Sequence, residues 1–310
     1  MRREETSAKP FIKWVGGKTQ LLGQLSSFFP KRLYTESFTY IEPFVGGGAM
    51  LFFILRHFSN VKRAVINDIN ENLIRAYQTI KKEPQQLIRV LGNIENDYLS
   101  INNETGRKQF FLDIRAEFNT HPANSLTNTA YLIFLNKTCF NGLYRVNRNG
   151  KFNVPFGKYA HPTICNAEVI LSDSALLNQF QVEITTGSYL ETEELIDNRG
   201  LNFIYFDPPY RPLSATSSFT SYTQNDFSDA DQAELAALCT RISSPQCLWM
   251  LSNADCKAHN PTDDFFERHY AQFHINKVWA SRALNSNPQK RGKLTELLIH
   301  NDYETADQPL

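Results

Sequence analysis

The chain has 310 residues, 42% of them hydrophobic, enough for one large α/β domain with a smaller one inserted or appended. Its most apolar run, residues 49–55, falls far short of the ~20 residues that span a bilayer. The start Met1-Arg2-Arg3-Glu4-Glu5 has no apolar stretch of the kind that directs secretion, so a cytoplasmic protein with no membrane partner is expected. Lys plus Arg and Asp plus Glu number 32 each. The resulting zero net charge excludes a uniformly basic protein but not a local basic face. Lys137, Arg145, Arg148, Lys151 and Lys158 follow one another with no acid between them. The five cysteines, at 139, 165, 239, 247 and 256, lack CxxC spacing and paired histidines, so neither a disulfide framework nor a metal site is expected.

In chain order, order is expected to begin near Phe11. Residues 39–44 read as a strand, followed by the turn Val45-Gly46-Gly47-Gly48 and a helical run over 49–58. A second strand, 64–67, ends in Asp68, and 70–81 reads as a helix. This strand, glycine turn, helix and strand open a nucleotide-binding α/β layout with an acid at the end of the second strand. Helical periodicity then takes over at 85–96, 107–118 and 127–135. Residues 139–165, rich in Asn, Gly, Arg and aromatics, read as a long loop or hairpin. Strands resume at 181–185, 202–206, 246–251, 273–280 and 295–300, with a helix over 229–242. The fold class expected is α/β, an open Rossmann-like sheet formed by 11–82 and 166–301. An insertion, 83–165, interrupts it, and 1–10 and 302–310 are tails.

The densest chemical signal is Asp207-Pro208-Pro209-Tyr210, directly after the apolar run at 202–206. An Asp-Pro turn after a strand is common, but this tetrapeptide should arise by chance on the order of once in a thousand chains of this length. It suits methylation of a planar, amide-like nitrogen, whose lone pair is delocalised until its hydrogens are drawn out of plane. The Asp207 carboxylate can accept one N–H and the Pro208 carbonyl the other, at positions that the two prolines fix. Tyr210 offers a ring face for stacking. Acceptors preorganised where charge develops are the electrostatic route to acceleration.

Glu42-Pro43-Phe44-Val45-Gly46-Gly47-Gly48 lets a ligand approach the backbone. It lacks G-x-G-x-x-G spacing, and an acid precedes it where a pyrophosphate would be repelled, so a dinucleotide is disfavoured. An adenosine carrying a cationic sulfonium fits better, with Asp68 accepting from ribose hydroxyls; alone, Asp68 would more often be a helix cap. Phe11-Ile12-Lys13-Trp14-Val15-Gly16-Gly17-Lys18 lacks the first glycine of a P-loop, and no convincing strand precedes it, so ATP is rejected. Trp14 reads either as a wall of the cofactor site or as a core anchor, and Lys18 as a ligand for a carboxylate.

These motifs, with Asn67-Asp68-Ile69-Asn70, Asn141-Gly142-Leu143, Phe152-Asn153-Val154-Pro155-Phe156-Gly157 and Pro212-Leu213-Ser214-Ala215-Thr216, occur in the order seen in Dam-type DNA adenine N6-methyltransferases. The chain resembles that family, of the D12 class and alpha-group order, from Phe11 to about Leu298. The resemblance implies a methyltransferase sheet with a target-recognition insertion, S-adenosylmethionine as cofactor and duplex DNA as partner. It implies cofactor contacts from Trp14, Lys18, Asp68 and Asp207, beside Glu42, Phe44 and Gly46 of the glycine motif. Lys13, Leu143, Arg145 and Pro155 match positions that read GATC, and Asn147 and Lys158 match phosphate contacts. Phe140 replaces a tyrosine that wedges into the base stack. Thr186-Gly187-Ser188-Tyr189 departs from the acid that many relatives carry near the adenine.

The resemblance and the residues agree on a mechanism. The adenine is flipped out of the duplex at a cost of a few kcal/mol. Arg145 reads a guanine edge. Direct displacement then follows, with neither a covalent intermediate nor a metal. Residues 214–222 read as a segment that closes over the base or as a polar loop, and 290–293 as a short basic run. The alternatives are methylation of RNA adenine or protein glutamine, and a catalytically silent DNA-binding regulator. The insertion disfavours the former pair, and the intact tetrapeptide the latter. A monomer is expected.

Overall fold

The computed structural model describes residues 7–120, 126–213, 227–281, 293–306 and 308–310. Seven strands form one sheet: β1 Phe38–Glu42, β2 Val61–Asp68, β3 Glu183–Thr186, β4 Leu201–Phe206, β5 Cys247–Ala254, β6 His274–Ser281 and β7 Lys293–His300. Their order is β3-β2-β1-β4-β5-β7-β6. The first five run parallel, while β7 runs antiparallel to both β5 and β6. This is the α/β layout expected of a methyltransferase sheet.

Every residue of β1, β4 and β5 is buried, as strands covered on both faces require. The pleat sends alternate side chains to opposite sides. Tyr40, Phe203, Tyr205, Leu248 and Met250 join one apolar cluster, whereas Ile41, Ile204, Phe206, Trp249 and Leu251 join another.

A short helix, α1 (Leu22–Ser26), precedes the sheet, and α2 (Ala49–His57) follows the glycine turn with six consecutive buried residues. In α3 (Glu71–Lys82) the Asn70 side chain accepts from Leu73 N–H, with Glu71 in the first turn and Lys81 and Lys82 in the last, as the helix dipole favours. The insertion supplies α4 (Pro84–Ser100), α5 (Glu104–Phe118) and α6 (Leu126–Thr138). Leu87, Leu91, Phe111, Leu132 and Phe134 from these helices belong to the same cluster as Tyr40 and Phe203 of the sheet. Residues 139–159 form a hairpin-like loop closed by isolated pairings Cys139 to Phe156 and Val146 to Phe152.

The chain returns through α7 (Ala167–Gln179), a helix the sequence reading did not anticipate. Its apolar residues are split by the polar centre Ser172-Asp173-Ser174, which blurs the 3.6-residue period, although Asn166 caps Val169 N–H at 3.2 Å. After α8 (Thr192–Leu195), α9 (Asp229–Ile242) starts with a capping box between Ser228 and Asp231. Strand β5 runs three residues beyond its expected end, through Ser252 and Asn253, polar but buried. Among the described residues, no helix is long and apolar enough to cross a membrane.

Candidate active site

Strand order reverses direction at β1, where one crossover leads to β2 and the other side of the sheet begins with β4. Ligands of open α/β sheets bind at the carboxyl ends of strands at such a point. Here three acids converge: Glu42 ends β1, Asp68 ends β2 and Asp207 follows β4.

Lys18 Nζ lies 2.9 Å from Asp207 Oδ1, with the lysine side chain 4% exposed and the aspartate 20%. The same ammonium donates to the Gly16 carbonyl at 2.6 Å and sits 4.6 Å from the centre of the Tyr210 ring. Burial pushes the Asp207 carboxyl up to about 6, with Lys18 pulling it down and Glu296 adding to the rise. Tyr210 Oη donates to Glu296 Oε2 at 2.7 Å, so the ring that follows the two prolines is tied to β7.

The tetrapeptide is supported from beneath by residues that sequence reading missed. Gln232 Nε2 on α9 donates to the Pro209 carbonyl at 2.9 Å, and Asn253 Nδ2 on β5 donates to Gln232 Oε1 at 3.0 Å. Asn253 Oδ1 accepts from Arg211 N–H at 3.1 Å. Arg211 then clasps Asp229 through two nitrogens, at 2.8 and 3.0 Å, and also pairs with Asp263. Gln232 and Asn253 are almost wholly buried. The only sequence signal for Asn253 was the polar pair Ser252-Asn253 inside an otherwise apolar strand, and Gln232, in an amphipathic helix with many polar residues, gave none.

The glycine turn folds against the end of β2. Gly46 N–H donates to Asp68 Oδ2 at 3.1 Å and Asn70 N–H to Asp68 Oδ1 at 2.9 Å. Burial nonetheless pushes the Asp68 carboxyl up to about 6. Gly46 has φ +48°, and a Cβ there would lie 2.8 Å from Trp14 Cδ1, so the indole backs the turn and only glycine fits. Tyr77 Oη secures the Gly46 carbonyl at 3.0 Å. Phe44 stacks on Tyr189 at 5.3 Å and meets the Phe227 edge. Glu42 lies deeper than Asp68 and Asp207, 2% exposed, accepting from Tyr40 Oη at 2.7 Å, and burial pushes its carboxyl up.

This set fits S-adenosylmethionine. The turn is a cradle that a Cβ would fill. The part-exposed Asp68 has both oxygens oriented by backbone N–H groups and retains lone pairs for ribose hydroxyls. Ile69 beside it is 63% exposed. A ligand carboxylate at Lys18 would have to share the ammonium with Asp207.

The residues expected to read DNA gather around the 139–159 loop. Phe140 is 51% exposed at the head of a turn in which Asn141 has φ +56° and Gly142 φ +65°. Its N–H donates to the Pro155 carbonyl at 2.8 Å, and Asn141 N–H donates to Tyr159 Oη at 3.0 Å. The alkyl chain of Lys13 crosses Gly142, where a Cβ would lie 2.5 Å from Lys13 Cδ, and its ammonium sits 5.5 Å from the Tyr159 ring centre. Leu143 is part-buried against the core. Arg145 is held by Asn153, Nε to Oδ1 at 2.8 Å and Nη2 to the carbonyl at 3.3 Å. The Asn147 Oδ1 caps its own turn by accepting from Asn149 and Lys151 N–H. Lys158 stands apart, pairing with Glu104 at 2.7 Å with both side chains mostly exposed. Trp14 stacks on Tyr144 at 5.2 Å and joins this loop to the glycine turn. Residues 214–222 and 290–292 lie outside the described residues, so the closing segment and most of the basic run are not placed.

Comparison with known proteins agrees with this geometry. A family model described as D12 class N6 adenine-specific DNA methyltransferase matches residues 14–284. The Type II methyltransferase M.MjaIII of Methanocaldococcus jannaschii is 43% identical over 297 residues, covering 94% of this chain and 99% of that protein. The Type II methyltransferase M1.LlaDCHI of Lactococcus lactis subsp. cremoris is 35% identical, covering 97% and 98%. A DNA adenine methylase of Vibrio cholerae is 34% identical, covering 94% and 95%.

Proposed function

The chain belongs to the D12 class of N6 adenine-specific DNA methyltransferases, and from that premise we propose that it methylates adenine within GATC, flipping the base out of duplex DNA. The observation that carries the catalytic reading is the Asp207 carboxylate, fixed by Lys18 beside the Pro208 carbonyl and the Tyr210 ring at the strand reversal. Asp207 accepts one hydrogen of the adenine amine and the Pro208 carbonyl the other, while Tyr210 stacks on the base. Because the acceptor must be ionised, it is available above a pH of about 6. S-adenosylmethionine supplies an electrophilic methyl group on a sulfonium. Asp68 would take its ribose, Trp14, Phe44 and Gly46 would shape its berth, Glu42, paired with Tyr40, would lie at the floor of the site, and Lys18 would offer its ammonium to the carboxylate.

In this reading residues 11–82 and 166–301 carry catalysis, 83–165 recognise the target, and one copy of the chain suffices. Phe140, half-exposed at the head of its turn, would fill the gap left by a flipped base and so offset part of the few kcal/mol of unstacking. Arg145 is braced on one side by Asn153, which leaves the other edge of its guanidinium for the O6 and N7 of guanine. Lys13, Leu143 and Pro155 flank it at the same loop. Asn147 and Lys158 face phosphate, the latter after leaving Glu104, an exposed pair that costs about 0–1 kcal/mol to part.

The test is methyl transfer from labelled S-adenosylmethionine to a GATC duplex and to one with that adenine replaced, followed by nucleoside analysis. Label as N6-methyladenine in the first alone supports the proposal. Label in both overturns the target, and label in neither directs attention to RNA or to a silent DNA binder.

A further inference from the structure

Asn136, near the end of α6, is 1% exposed and has no place in the assignments above. Its side chain makes three hydrogen bonds of 2.8 to 2.9 Å. Oδ1 accepts from Lys13 N–H, and Nδ2 donates to the Lys13 carbonyl and to the Gly142 carbonyl. The carboxamide therefore pairs with both peptide groups of Lys13 as a neighbouring β-strand would, and then reaches the turn that carries Phe140. Lys13 and Gly142 are 129 residues apart in sequence, yet the lysine stem lies directly across the Gly142 Cα.

The protein has two reasons to fix this junction. Lys13 adjoins Trp14, which backs the glycine turn, and Gly142 sits between Phe140 and Leu143. A shift of one segment against the other would misalign an exposed cation with the loop that faces DNA. We propose that Asn136 is a positioning residue for target selectivity, holding the Lys13 segment in register with the 140–143 turn. This role rests on the DNA-reading function proposed above.

Three features favour registration over general packing. The amide is the only kind of side chain of this length with both a donor and an acceptor to satisfy the two faces of a peptide group. All three partners are backbone atoms, so the clamp sets chain position rather than side-chain rotamer. Gly142, with φ +65°, offers its carbonyl from a left-handed conformation that a Cβ would disturb by striking Lys13.

The experiment compares kcat/KM on the recognition duplex with kcat/KM on duplexes substituted at each base pair, for wild type, Asn136→Ala, Lys13→Ala and the double variant. The expectation is that Asn136→Ala lowers discrimination about tenfold at the base pair that Lys13→Ala also relaxes. Cognate kcat of Asn136→Ala should stay within a few-fold, and the double variant should lose no more selectivity than Lys13→Ala alone, since the clamp acts through the placement of the Lys13 side chain and has nothing to place once that side chain is gone. Asn136→Ser, which is too short to span both segments and buries no charge, gives the same readout if the alanine variant does not fold. A selective wild type whose Asn136 variants keep every ratio, or lose them additively with Lys13→Ala, overturns the positioning role alone. A wild type that transfers methyl groups without selectivity overturns the target reading and this role with it.

Discussion

Replacing Lys18 with methionine keeps the volume of its buried stem and removes the charge 2.9 Å from Asp207 Oδ1. In the wild type, burial raises the Asp207 carboxyl to about 6 although Lys18 pulls it down. A hydrogen bond between charged partners contributes about 1.5–3 kcal/mol. Both side chains here are largely shielded, so solvent screening removes little of it. At 1.36 kcal/mol per pKa unit, the loss should raise the Asp207 carboxyl by about one to two units further. The sign follows from the acceptor role. Ionised Asp207 is needed, so activity is present above its pKa and lost as pH falls through it. The assay is kcat/KM for S-adenosylmethionine against pH, which reports the free enzyme. The wild-type acid limb should fall near 6 and that of Lys18→Met about one to two units higher, while Lys18→Arg, which retains charge, should stay close to wild type. Equilibrium binding of S-adenosylmethionine measured separately accounts for any lost carboxylate contact, which lowers the plateau without moving the limb. An acid limb that stays in place in Lys18→Met would refute the coupling and the assignment of that limb to Asp207.

Tyr210→Phe keeps the ring and loses the 2.7 Å bond to Glu296. It should cost about 1–3 kcal/mol in thermal unfolding and leave transfer within several-fold, whereas Tyr210→Ala, which removes the stacking face, should lower kcat much further. Gly48 has φ +76°, and a Cβ there would lie 2.4 Å from Tyr77 Oη, the group that secures Gly46. Gly48→Ala should therefore destabilise by at least about 1–3 kcal/mol and weaken cofactor binding, measurable together by calorimetry. Arg145→Ala should relax the choice at one guanine by roughly tenfold or more, and Asn153→Ala should produce a weaker version of the same relaxation in kcat/KM ratios.

The motifs that carry chemistry were legible because each needs a local backbone shape. Glycines mark the turn at 46–48, prolines mark the end of β4, and the acids at 68 and 207 stand where strands stop. Element types were legible wherever period and cap agreed, as in α3 and α9. What escaped depends on partners distant in sequence. Asn253 looks like a polar interruption of its strand and Gln232 like one more polar residue of its helix until Pro209 and Arg211 are seen resting on them. Asn136 looks like an ordinary polar residue near a helix end until Lys13 is beside it. Lys18 was read as a carboxylate ligand, and its pairing with Asp207 could not be foreseen, because nothing local brings residues 189 apart into contact. The helix α7 was obscured by Asp173, a buried acid that a surface-facing period would place outside.

The apolar cluster that runs without a break from Tyr40 and Phe203 through Leu87, Phe111 and Phe134 also constrains how such an enzyme can be retargeted. A helical segment that shares its core with the sheet, proposed here to recognise the target, cannot be exchanged as a cassette, since lifting out its helices would strip apolar surface from the strands that hold Asp68 and Asp207. Even the loop at 139–159 is anchored there. Its ends meet at the Cys139 to Phe156 pairing, its Tyr144, Val146, Phe152 and Val154 join the same cluster, and Asn119 and Arg115 of the helical segment hold its backbone at Phe152 and Val154. New target sequences should therefore be reached by rewriting the exposed positions of that loop while its buried ones and the helices beneath stay as they are.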